Sequence, residues 1–148
     1  MLIAIADAVV TELNAGSWSQ PFTAARALRP RLKLEDLAAL RVTVIPRGMT
    51  MAALTRGSAI RTQTVEISVM QRVSSAVPAT EEAAVEALVA LMEELANAFK
   101  PPYVVDGAGH AVVTDVALAA DKPFVEEHLD EAGLFNGSLV LTFREAAL

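Results

Sequence analysis

The 148-residue chain contains no cysteine. That excludes disulfides, thiolate nucleophiles, iron–sulfur clusters and cysteine zinc sites together, and cytosolic folding is the simplest fit. Aromatic residues are scarce, at 5% of the sequence, so the core has to be built from Ala, Val, Leu and Ile rather than from large rings. No apolar run approaches the roughly 20 residues that a bilayer span requires, so no membrane helix and no membrane partner is expected. The opening MLIAIADAVVTEL has the apolar texture of a signal peptide. However, no basic residue precedes its apolar stretch, and Asp7 and Glu12 interrupt it, which predicts an ordinary amphipathic helix.

What is present is a chain 53% hydrophobic and 20% charged, more apolar than usual for a soluble domain. Either partners bury part of its surface, or abundant alanine raises the count. The length fits one domain over residues 1–148. Net charge is −6, unevenly spread: residues 1–73 carry nine Lys/Arg and five Asp/Glu (+4), and residues 74–148 carry three and thirteen (−10). Such asymmetry serves either a basic nucleic-acid face or the stacking of positive surface on negative surface between subunits. The acidic total argues against tight DNA binding.

Leu2, Ile5, Val9 and Leu13 step by three and four, predicting a helix over residues 2–14 that stops near Gly16. In ARALRPRLKL, Leu28, Leu32 and Leu34 alternate with Arg29, Arg31 and Lys33, predicting a half-buried strand with a basic outer face, at an edge or broken at Pro30. LEDLAAL (34–40) predicts a short helical turn, and RVTVI (41–45) a strand ended by Pro46. In the strand around residues 59–73, Val65, Ile67, Val69 and Val73 face one way and Thr64, Glu66, Ser68 and Arg72 the other. The stretch 46–58 between these strands has no clean period and is expected to be a loop longer than a hairpin needs.

After VPAT, Thr80 is the expected cap of a long helix with Glu81 and Glu82 in its first turn. Val85, Leu88, Val89, Met92, Leu95, Ala96 and Phe99 give it one apolar stripe before it stops at Pro101 and Pro102. AVVTDVALA and SLVLTFRE predict closing strands. The expected fold is therefore α+β, a single domain with a mixed, largely antiparallel sheet packed against an N-terminal helix and a long middle helix.

No pattern anchors catalysis, and none calls for a cofactor. EEHLDE (126–131) supplies a single imidazole, His128, in no metalloprotease spacing and is expected to be a solvated acidic turn. DGAGH (106–110) lacks both a P-loop lysine and the third glycine of a dinucleotide fingerprint, so a plain turn carrying His110 is expected. Ser74, Ser75 and Ser138 have no nucleophile-elbow context. The cations Arg26, Arg29, Arg31 and Lys33 lack the interleaved aromatics of a single-strand stacking platform, and a solvated or subunit-facing strand is the better reading.

Candidate interface residues are clearer. Trp18 and Phe22 flank Pro21 and either anchor a partner or close the end of the core. In 46–58, Met49, Met51 and Leu54 lie between Arg47 and Arg56: adaptable apolar side chains between two charges that fix register, a composition suited to a docking arm. The same methionines could instead fold onto the domain's own core.

The N-terminal segment ADAVVTELNAGSWSQPFTAARALRPRLKLEDLAALRVTVIPRG, the closing SLVLTFRE, and the order of helix, long-looped strands, long helix and closing strands resemble the tail-terminator proteins of long-tailed phages and prophages. The resemblance covers residues 6–48 and 138–145, about half the chain. It implies a non-enzymatic virion structural protein, made in the host cytoplasm, that forms a hexameric ring capping the tail tube and joining it to the head connector. Its implied partners are other copies of itself, the tail tube protein and the connector proteins; DNA passes through the ring without specific binding. A different neck, head-completion or tail-tube protein is the alternative within that class. Outside it stand a small nucleic-acid-binding adaptor using Arg26 to Lys33 and an enzyme built around His110 or His128.

Overall fold

A computed structural model describes residues 2–29, 37–73, 77–104, 111–119 and 122–147. The elements run α1 (Leu2–Ala15), β1 (Ala24–Arg26), β2 (Arg41–Thr55), β3 (Ser58–Arg72), α2 (Pro78–Ala98), β4 (Tyr103–Val104), β5 (Val112–Leu118), α3 (Glu126–Ala132) and β6 (Leu134–Ala147). The six strands form one sheet in the order β1-β2-β3-β6-β5-β4. β1 is parallel to β2; every other pairing is antiparallel. The fold is a single α+β domain.

The period-2 pattern of the strands decides which face is covered. Val42 and Val44 of β2, Val65, Ile67 and Val69 of β3, Leu139, Leu141 and Phe143 of β6 and Val113 of β5 are all buried in one cluster. Ile5, Val9 and Leu13 of α1 and Leu88, Leu91, Met92 and Leu95 of α2 join it, so both long helices lie on this face. α1 is tied to the edge strand by Asn14, which donates to the Ala24 carbonyl at 3.1 Å and accepts from the Ala24 amide at 2.7 Å. The opposite face is rich in hydroxyls, with Thr43, Thr62, Thr64 and Thr142 half-buried. Ile45 and Glu66 are the buried residues of that face on β2 and β3, together with Ser68.

Four expectations are corrected. The strand expected across ARALRPRLKL is only three residues long, and Leu28, assigned there to a buried side, is 69% exposed; residues 30–36, with Arg31, Leu32, Lys33 and Leu34, lie outside the described residues. β1 does sit at the sheet edge. α2 starts two residues before Thr80: Val77 is the N-cap, without a side-chain cap bond, and Pro78 occupies the first turn, where its fixed φ suits the helix and its missing N–H costs nothing. EEHLDE is a short helix, α3, rather than a turn.

The largest correction is the stretch 46–58. It is not a loop: β2 and β3 pair along their whole lengths, from Arg41 opposite Met70 to Thr55 opposite Ser58, with only Arg56 and Gly57 between them. Gly57 turns with φ +87°, a conformation other residues adopt only at a cost. Register shifts between Pro46 and Gly48 and again between Ala53 and Thr55 insert Arg47 and Leu54 as extra residues. Each such bulge moves the following side chains to the other face, so no single period-2 pattern runs through the strand.

Candidate functional site

The bulge at Arg47 sets up the most distinctive surface of the molecule. Before it, the odd-numbered residues Thr43 and Ile45 lie opposite Ser68 and Glu66, on the face away from the helices. After it, Met49 and Met51 lie opposite Gln63 and Arg61, on the helix-bearing face. They sit beyond the helices' cover, 52% and 54% exposed. β1 pairs with β2 only at Val42 to Val44, so among the described residues the outer edge of β2 from Ile45 to Thr55 carries no strand. From Gly48 to Thr55 that edge, GMTMAALT, contains neither a charge nor a proline, the usual devices that protect an exposed edge from pairing.

The distal hairpin is stiffened by its neighbour. β6 follows β3 to its end, Ala147 opposite Ala59, making a three-stranded ribbon. Across it, Arg61 Nη1 donates to Glu145 Oε1 at 3.0 Å, with the carboxylate almost wholly buried. One row nearer the core, Gln63 is fully buried, and neither polar atom of its carboxamide meets a hydrogen-bond partner among the described residues. A buried amide without partners costs about 1–3 kcal/mol, so this row of Met49, Gln63 and Phe143 is polar where packing alone would favour an apolar side chain.

The candidate interface residues thus divide. Met49 and Met51 are brought together, exposed, on one face of the ribbon. Arg56 is exposed at its tip and makes no ion pair among the described residues. Arg47 is engaged within its own sheet, as an ion pair with the buried Glu66. Leu54 is the second bulge residue. Trp18 and Phe22 stack, centroids 6.0 Å apart, and pack against the core cluster; Trp18 Nε1 donates to the Leu13 carbonyl at 2.7 Å. They close the end of the core. Arg29 is exposed beyond β1, away from the hairpin tip in sequence, and Arg31 lies outside the described residues.

His110 and the rest of DGAGH also lie outside the described residues. His128 is exposed on α3, with Asn136 Nδ2 3.1 Å from its Nδ1. Among the described residues, no group of three or more His, Asp or Glu side chains is placed to hold a metal ion. No described helix is long and apolar enough to cross a membrane.

Sequence reasoning missed Gln63 and Glu66. Glu66 stands among the polar residues of its strand and gave no sign of burial; its signal was the arginine at Arg47, which no period could pair with it before the bulge was known. In α2 the sequence marked Glu81 and Glu82 only as first-turn charges, and the acidity of the rest of the helix went unread. Glu81, Glu82, Glu86, Glu93 and Glu94 fall in a helix without a single Lys or Arg. Searches for similar proteins find no matching family model and no significantly similar protein of curated function.

Proposed function

We propose that this protein is a structural subunit that assembles into a closed ring through its β2–β3 hairpin, and that the ring is a phage tail terminator. The observation that carries assembly is the hairpin: a long paired ribbon whose outer edge from Gly48 to Thr55 is uncharged and, among the described residues, carries no strand, with two exposed methionines. Exposed apolar side chains and an unprotected edge are hazards for a monomer and assets for a subunit. The narrower assignment to the end of a phage tail rests on the sequence resemblance of residues 6–48 and 138–145. A cyclic assembly needs a heterologous contact, in which one surface meets a different surface of the next copy, and the hairpin tip with Arg56 and the glutamate-bearing α2 are two such unlike surfaces.

Electron microscopy of the purified protein tests the ring. Closed particles with a central channel are expected; a uniform monomer contradicts it. Mixing such rings with tails that lack their terminator tests the assignment, the expected result being a ring capping one end of the tube.

A further inference from the structure

Two shallow pockets follow one another along one side of α2, one from Pro78 to Glu86 and one from Val89 to Ala96, and make up a trough. Its helical wall steps through Pro78, Glu82, Val85, Val89, Met92 and Ala96, spaced by three and four so that all six share a side. The facing wall is Leu129 of α3, then Pro123, then Val116 and Leu118 of β5. The floor is apolar and the rim acidic: Glu82, Glu86 and Glu93 are exposed, and Glu81 is half-exposed.

We propose that this trough receives the β2–β3 hairpin of a second copy of this chain. The inference rests on the assembly reading and adds to it the receiving surface. Three observations single out this occupant. The first is length: the 19 residues of helix from Pro78 to Ala96 rise about 27 Å, and the eight residues from Gly48 to Thr55 extend about 24 Å. The second is chemistry, because Met49 and Met51 are flexible apolar side chains suited to a shallow apolar floor. The third is charge: residues 48–63 contain no carboxylate and carry the exposed Arg56 at the tip, whereas 78–99 contain five glutamates and no cation. Three of those glutamates lie near the Pro78 end, so the tip with Arg56 points there and Met51 lies over the middle of α2 near Val89. The contact is heterologous, as ring closure requires.

The absence of cysteine permits a direct test. In a Met51→Cys/Val89→Cys double variant, mild oxidation should link copies into covalent ladders up to the size of the ring. Met51→Cys/Thr43→Cys, whose second site lies on the other face of the sheet, should stay unlinked. In parallel, Arg56→Glu should weaken association about tenfold or more, and Glu82→Arg/Glu86→Arg added to it should restore association. Rings that form normally without the Met51–Val89 link, and that ignore the charge reversals, would overturn the trough while leaving assembly intact. A wild-type protein that never associates would overturn both.

Discussion

Arg61 and Glu145 pair at 3.0 Å across β3 and β6, in the row that also holds Met51, so among the described residues the one ion pair of the distal ribbon lies beside its exposed apolar surface, with Glu145 buried and Arg61 half-buried. Removing one partner strands the other in a site that is largely closed to water. Glu145→Ala should destabilise the domain by about 1–3 kcal/mol. Amide exchange should speed up selectively in the last residues of β6 and the first of β3, before global unfolding.

Gln63 gives a prediction of opposite sign. Its carboxamide is buried between Met49 and Phe143 without a partner among the described residues, so an apolar residue of similar volume removes a desolvation cost and creates no cavity. Gln63→Leu should raise stability by about 1–2 kcal/mol, which for a domain of this size is a rise of several degrees in Tm. A lower Tm would show that the amide is satisfied in a way its surroundings do not display.

Gly137 and Gly57 separate two reasons for glycine. A Cβ at Gly137 would lie 2.3 Å from the Pro123 carbonyl oxygen, a backbone atom that cannot rotate away, where the segment before α3 crosses β6. At Gly57 the space is open, and only the positive φ objects. Gly137→Ala should therefore cost more, about 1–3 kcal/mol or more, than Gly57→Ala at about 1 kcal/mol. Thermal unfolding of the two variants side by side checks the order.

Asn14 offers a local test of how β1 is held. Its side chain makes both bonds to the Ala24 backbone, and the further link from α1 to this strand, Arg26 Nε to Asp7 at 2.7 Å, is solvent-exposed and worth little. Asn14→Ala should cost about 1–2 kcal/mol and release protection of the Ala24 to Arg26 amides. Asp7→Ala should change stability by well under about 1 kcal/mol.

The legible parts of the sequence were those where one period ran uninterrupted. Ile5, Val9 and Leu13 mark the buried side of α1, and Val65, Ile67 and Val69 mark the core face of β3, because nothing breaks their spacing. The hairpin was illegible for the converse reason. Bulges at Arg47 and Leu54 reset the alternation twice within nine residues, and a strand whose pattern switches face looks like a loop. Leu28 misled differently, since alternation with arginines imitates a half-buried strand where the chain has already left the sheet. The interface candidates were found by composition rather than by geometry. Arg47, similar to Arg56 in sequence, differs from it wholly in the fold, being held by Glu66.

Met49 and Met51 serve assembly rather than folding if the hairpin joins one copy to the next. Sedimentation velocity of the wild type and of Met49→Thr/Met51→Thr, both compared with the 15.7 kDa chain, measures this directly. Threonine suits an exposed strand, so the variant's circular dichroism and Tm should stay close to wild type. The wild type should sediment as one closed species several times the chain mass, and the variant as a monomer. A wild type that remains monomeric at high concentration, or a variant that assembles as the wild type does, would contradict it.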